Sequence, residues 1–337
     1  MRSSVRLRAP HSGLPLYFAA MSANNSIAFV FPGQGSQSVG MLGKLAETSA
    51  TVRATFDEAS KVLGYDLWQL CANGPAEDLN ATERTQPAML VAGIATWRVW
   101  QERGGKLPGI VTGHSLGEFT ALVAAQAVDF GTCVNLVRFR GQAMQSAVPA
   151  GTGAMAALLG LEDADVEAAC REASAGGGVV EAVNFNSPGQ VVIAGDKAAV
   201  LRAIEAAKAR GAKRALELPV SVPSHSSLMK PAGVLLGERL ANIEIRTPAI
   251  RYLSAVDAQE HSAADDIRAL LVRQLSSPVR WTNTVAALAG TGASRIVECG
   301  PGAVLAGLVK RITRGGDTQT FALESPENFD AALAASA

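Results

Sequence analysis

The stretch Gly109-Ile110-Val111-Thr112-Gly113-His114-Ser115-Leu116-Gly117-Glu118-Phe119 decides the class of fold. Residues 110–112 read as a short strand and residues 118–128 as an alanine-rich helix, and the pentapeptide between them fits G-x-S-x-G. In that context the serine sits on a tight strand-to-helix turn at the carboxyl end of a sheet, near the positive end of the following helix. Upstream, residues 27–31 form an apolar strand run closed by Pro32-Gly33, and residues 41–64 and 86–103 carry helical periodicity. Trp97 and Trp100, three positions apart, read as core. Strands alternating with helices predict a mostly parallel sheet covered on both faces.

Between residues 154 and 220 the pattern changes. Strands are predicted at 155–161, 179–185, 190–195 and 213–220, with helices at 162–175 and 196–210. That order is βαββαβ, the split or ferredoxin-like unit. Gly151 and Gly153 precede it, and Pro219 and Pro223 follow, as crossing points into and out of an insertion. The α/β alternation then resumes: strands at 249–256 and 294–299, helices at 263–275, 282–289 and 304–312, and an apolar run at 318–323.

Composition narrows the function classes. In 337 residues Lys+Arg and Asp+Glu each number 30, so the formal net charge is zero and a polyanion-coated surface is not expected. With 48% hydrophobic and 18% charged residues, the chain reads as a packed globule. No run of about 18 apolar residues exists to span a membrane. Residues 1–20 hold Arg2, Arg6 and Arg8 and no acid, leaving 27 bases against 30 acids in the rest. This opening has the flavour of an organelle transit peptide; the preferred reading is an upstream start or a non-native, disordered tail, with Met21 as the natural start. The four cysteines are far apart with no C-x-x-C pair, and there are only four histidines. No metal site and no disulfide are predicted, and a reducing cytoplasm is the expected location.

A serine hydroxyl needs a base to take its proton. His11 lies in the tail, His114 is Ser115's neighbour and points elsewhere in a regular turn, and His261 falls in a polar loop. His225, in Val222-Pro223-Ser224-His225-Ser226, is left as the base. No carboxylate is evidently placed to orient it, and a mid-chain histidine departs from the usual hydrolase order of Ser, acid, His. A dyad oriented by a neutral acceptor would serve. The Leu116 amide supplies one oxyanion donor. Phe31-Pro32-Gly33-Gln34-Gly35-Ser36-Gln37 fails both the G-x-G-x-x-G and Walker patterns, and reads instead as a loop offering the Gln34 amide as a second donor. Arg140 is either a solvated or ion-paired side chain or a clamp for a substrate carboxylate.

Taken together, FVFPGQGSQ (29–37), TQPAML (85–90), GHSLGEF (113–119), VNFNSPGQVVIAG (183–195), PVSVPSH (219–225), RQLSSPVRW (273–281) and ECGPG (298–302) resemble the successive landmarks of the malonyl-CoA:acyl carrier protein transacylases of fatty acid synthesis. The resemblance covers residues 26–325. It implies an α/β fold with a hydrolase-like parallel-sheet core subdomain (24–150 and 221–325) and an inserted ferredoxin-like subdomain (151–220). It also implies a cytoplasmic, monomeric acyltransferase with a ping-pong Ser–His mechanism. Ser115 would carry the malonyl group, with His225 as base and Gln34 and Leu116 as oxyanion donors. The main-chain carbonyl of Gln274 would orient the histidine, Arg140 would bind the malonyl carboxylate, and Asn184 and Asn186 would border the cleft. Malonyl-CoA would be the donor, with no permanently bound cofactor. The transient partner would be holo acyl carrier protein with its phosphopantetheine, and neither nucleic acid nor membrane would be bound. Because carrier proteins are acidic, Lys208, Arg210, Lys213 and Arg214 are a basic patch suited to docking. Ser254-Ala255-Val256-Asp257 departs from the family's frequent asparagine pair before Val-Asp. A serine esterase or thioesterase, and a noncatalytic acyl-binding protein, are the alternatives.

Overall fold

The computed structural model describes residues 24–220 and 222–336; the basic tail, His11 and Ser221 lie outside the described residues. In chain order the elements begin with β1 (Asn24–Phe31), α1 (Gly43–Thr48), α2 (Ala50–Leu63), α3 (Leu67–Asn73), α4 (Ala76–Asn80) and α5 (Thr82–Glu102). The elbow region follows as β2 (Pro108–Gly113), α6 (Gly117–Ala124) and α7 (Phe130–Ser146). Next come β3 (Gly153–Leu159), α8 (Asp163–Ala175), β4 (Val180–Ser187), β5 (Gln190–Asp196), α9 (Lys197–Ala209) and β6 (Arg214–Glu217). The chain closes with α10 (Lys230–Leu240), β7 (Arg251–Tyr252), α11 (Ala264–Arg273), α12 (Trp281–Gly290), β8 (Arg295–Glu298), α13 (Val304–Ile312), β9 (Gln319–Ala322) and α14 (Pro326–Ser336).

The strands form two sheets. The first, ordered β7-β2-β1-β8-β9, is parallel at every pairing. Its central strands are hidden on both faces, which is why residues 27–31 read as an uninterrupted apolar run. Phe29 meets the edges of Trp97 and Trp100 at centroid distances of 5.4 and 5.1 Å, so both tryptophans are core. The second sheet, ordered β4-β5-β3-β6, is antiparallel throughout, the arrangement a βαββαβ chain makes when each helix crosses one strand. Its core, with Ile193, Val200 and Ala203, is separate from the core of the parallel sheet. A short bridge ties the sheets together: Val279 donates to the Val183 carbonyl at 2.9 Å and accepts from the Phe185 amide at 3.0 Å.

Several boundaries differ from the sequence reading. The stretch 41–64 is two helices, because Ser49 takes an extended conformation (φ −148°) and its side chain accepts from the Thr51 amide. Helix α5 starts four residues before 86 despite Pro87, since its almost complete burial outweighs one missing backbone donor. Helix α6 stops at Ala124, before Gln126 at φ 60°. The strand expected over 249–256 shrinks to two residues at the sheet edge.

Candidate active site

Ser115 stands between β2 and α6 with φ at 52°, a conformation that costs a non-glycine residue about 1–3 kcal/mol. Close contacts on both sides hold it there. A Cβ on Gly113 would lie 1.9 Å from the Gly117 carbonyl carbon, and one on Gly117 would lie 1.9 Å from the Phe31 carbonyl oxygen. The two glycines of the motif are therefore required by backbone contact, and the turn cannot relax without separating β1 from the elbow. The loop after β1 is seated against the same turn: a Cβ on Gly33 would fall 2.4 Å from the His114 carbonyl oxygen. That glycine serves close approach of the loop to the elbow.

His225, at φ 68°, brings Nε2 to 2.7 Å from Ser115 Oγ. Its Nδ1 meets the main-chain carbonyl of Gln274 at 2.8 Å, so Nδ1 carries the proton and Nε2 is the free acceptor for the serine hydroxyl. Burial pushes the imidazole down to about 3, and the nearby Arg140 cation contributes in the same direction. The histidine is thus neutral and able to accept a proton at any ordinary pH.

Arg140, on α7, is 1% exposed and has no carboxylate within ion-pairing distance among the described residues. Its Nη2 donates to Gln274 Oε1 at 2.8 Å and to Ser115 Oγ at 3.3 Å, while Nε has no partner. Burial lowers its pKa to about 10, still leaving it cationic. The nearby Glu118 carboxyl opposes that fall, and it lies beyond ion-pairing distance, so Arg140 is neither solvated nor in a direct salt bridge among the described residues.

Gln274 lies in the 3₁₀ turn Gln274–Ser276 after α11 and joins all three groups. Besides holding His225 and Arg140, its Nε2 donates to the Ser115 carbonyl at 2.9 Å and to Glu118 Oε1 at 2.8 Å. Glu118 was not foreseen from sequence. It is 1% exposed and accepts also from the Tyr252 hydroxyl and, at 3.3 Å, from the Ala255 amide. Burial raises its pKa, and these donors oppose the rise. The sequence signal was an acid in the first turn of an otherwise apolar helix. Its partners are 134 to 156 residues away, too far for any local pattern to reveal.

Ser115, His225 and Arg140 open into a cavity of about 520 Å³, walled on one side by the elbow and the 33–37 loop and on the other by strands of the antiparallel sheet. Gln34 and Leu116 both line it, and among the described residues neither backbone N–H is taken by another group. Asn184 and Asn186 line it too. Asn186 Oδ1 meets His114 Nε2 at 2.9 Å, while Asn184 Oδ1 is without a partner. His114 turns away from Ser115, as a regular elbow requires, yet it forms part of the cavity wall. His261 is half-buried and faces Asp257 at 3.1 Å, far from this constellation in role. The basic patch is reduced: Lys208 is paired with Glu205 at 2.8 Å and Arg210 with Glu172 at 2.6 Å, leaving Lys213 and Arg214. No group of histidine, cysteine and acidic side chains suited to a metal occurs among the described residues, and the four cysteines are buried and free.

Comparison with known proteins places these features in a family. Residues 28–324 match the model of the acyl transferase domain family. The chain is 56% identical over 307 residues to the malonyl CoA-acyl carrier protein transacylase of Salmonella typhimurium, covering 91% of this chain and 98% of that one. The crystal structure of malonyl-CoA:acyl carrier protein transacylase from Xanthomonas oryzae superposes with a TM-score of 0.91 at 51% identity, covering 94% of this chain and all of that one (100%). A malonyl-transacylase solved in complex with a type II PKS acyl-carrier protein gives a TM-score of 0.89 at 52% identity, covering 92% of this chain and 99% of that one.

Proposed function

The chain belongs to the acyl transferase domain family and, within it, to the malonyl CoA-acyl carrier protein transacylases, and on that premise we propose how its own residues perform the transfer. The protein moves a malonyl group from malonyl-CoA to the phosphopantetheine thiol of holo acyl carrier protein. His225 Nε2 takes the Ser115 proton as Oγ attacks the thioester carbonyl. The Gln34 and Leu116 amides receive the oxyanion, and coenzyme A leaves with the proton returned through His225. The carrier thiol then repeats the sequence on the malonyl-serine ester. The Gln274 carbonyl does the orienting done elsewhere by an acid.

The observation that carries this reading is a buried arginine 3.3 Å from the nucleophile with no protein carboxylate paired to it. A carboxylate on the acyl group is the natural complement, and losing such a buried partner costs about 3–5 kcal/mol. An esterase would have no use for that cation. Asn184 and Asn186 complete the acyl side of the cleft. The units 24–150 with 221–325, and 151–220, are the two subdomains facing each other across it. For the carrier, Lys213 and Arg214 are joined by Lys310 and Arg311 on α13; Arg311 bonds to Gln190, which lines the cavity. The protein acts as a cytoplasmic monomer. Incubation with malonyl-CoA and holo carrier, read as malonyl-carrier formed against malonate released, tests the function: transfer supports it, and release alone identifies a thioesterase.

A further inference from the structure

His225 is a non-glycine residue at φ 68°, in the loop that leads into the 3₁₀ turn Ser227–Met229 and then α10. Such a conformation lasts only where the surroundings over-determine it. Three of its restraints are local or come from the Gln274 turn. The His225 amide donates to the Leu275 carbonyl at 3.1 Å, Nδ1 to the Gln274 carbonyl at 2.8 Å, and the Ser226 hydroxyl to the Pro223 carbonyl at 2.7 Å. A fourth comes from the antiparallel sheet. The Ser227 amide, a donor at the start of a helical segment and so without an intrahelical acceptor, donates to Glu181 Oε2 at 2.6 Å. Glu181 is half-buried on β4 and takes part in no ion pair among the described residues. Its charge strengthens the bond and suits the positive end of the helical segment. The same strand grips the loop that orients the imidazole: Val183 and Phe185 bond to both backbone groups of Val279, shortly beyond the Gln274–Ser276 turn. Strand β4 thus holds the loop of the base and the loop of its acceptor. Among the described residues, Glu181 is the one side chain of the antiparallel sheet bonded to the first.

We propose that Glu181 is a positioning residue for the transfer: by holding the Ser227 amide it fixes the backbone of the His225 loop and keeps Nε2 on Ser115 Oγ. The antiparallel sheet then sets the aim of the base. The inference rests on the acyl-transfer reading above and adds a residue to it. Glu181 does not line the cavity, so its loss leaves the donor's binding surface in place and displaces the base alone. In acylation His225 Nε2 takes the Oγ proton as the Oγ–C bond forms, and returns it to the sulfur as the C–S bond breaks. A displaced Nε2 slows both transfers.

Single-turnover formation of malonyl-Ser115 in the full chain, followed by rapid quench and intact mass over a range of malonyl-CoA, tests this. A misplacement of about 1 Å can cost about a hundredfold, so the partial release in Glu181→Ala is expected to lower the saturating rate about tenfold. The malonyl-CoA concentration giving half that rate should move less than about twofold. Glu181→Gln, whose amide oxygen accepts from the same N–H, should return the rate to within about threefold of wild type. The His225 Nδ1 proton, read by NMR, should shift in Glu181→Ala and return in Glu181→Gln. Ser227→Pro removes the donor instead, and Ser226, at φ −86° and ψ 165°, already has the extended backbone that a following proline requires. Its loss should match that of Glu181→Ala, and the double variant should be no slower than either single one. If Glu181→Ala does not fold, Ser227→Pro carries the same comparison. A variant rate equal to wild type, a loss confined to half-saturation, no rescue by glutamine, or additive losses each overturn the positioning role. Wild type that loads malonyl while Glu181→Ala loads as fast overturns that role alone, whereas no adduct on wild type overturns the functional reading as well.

Discussion

Ser115 and His225 both adopt positive φ, and each is held there by contacts that continue into Gln274. Gln274 acts with two chemically distinct ends. Its carbonyl sets the histidine tautomer, while its side-chain amide fixes the elbow and Arg140. Gln274→Leu therefore keeps the first and removes the second. Each lost buried hydrogen bond is worth about 1–3 kcal/mol, so malonyl loading should fall at least about tenfold while the Nδ1 proton, read by NMR, stays in place. Arg140→Ala should lower malonyl transfer by roughly a hundredfold or more, with acetyl transfer spared, in a direct comparison of kcat/KM for the two donors. Ser115 and His225 were legible in sequence because a nucleophile motif and a scarcity of histidine leave few choices. Glu118 was not, because burial among distant donors is a property of the folded chain.

At the scale of elements, the elbow is a contact between β1, β2 and the start of α6. Gly117→Ala places a methyl 1.9 Å from the Phe31 carbonyl oxygen, and no side chain is there to give way. Destabilisation of at least about 3 kcal/mol is expected, visible as a lowered midpoint in urea unfolding. The βαββαβ order could be read from its periodicities, since both of its helices are amphipathic and its strands are bounded by turn residues. Ends were less legible. Ser49 divides a continuous periodic stretch by capping locally, and β7 keeps two residues because pairing with β2 extends no further. Such outcomes depend on a partner the local sequence does not contain.

For the molecule as a whole, equal numbers of bases and acids conceal where charge matters. Lys310 and Arg311 stand exposed at the end of a helix whose other face lines the cavity. Reversing both to glutamate should raise the carrier KM roughly tenfold at low salt and leave malonyl-Ser115 formation intact; an unchanged KM removes this surface from the carrier site. Buried histidine also links stability to pH. His225 folds with its pKa lowered from 6.5 to about 3, so below 6.5 the unfolded chain binds the extra proton. Its contribution is complete above pH 6.5 and is lost as pH falls toward 3. Glu298, raised to about 7, has the opposite sign, contributing below 4.5 and losing its effect as pH rises through 7. The two are separated by comparing wild type with His225→Gln: the variant should show a shallower loss of urea midpoint between pH 6.5 and 4, and an equal slope would contradict the buried neutral histidine.

The central claim is that Ser115, with His225 as its base, carries the malonyl group between donor and carrier. Intact mass spectrometry of the protein mixed with malonyl-CoA measures this directly. The account predicts one malonyl adduct, mapped to Ser115, absent in Ser115→Ala and discharged when holo carrier protein is added. An unmodified mass, or an adduct that persists in Ser115→Ala, would contradict it.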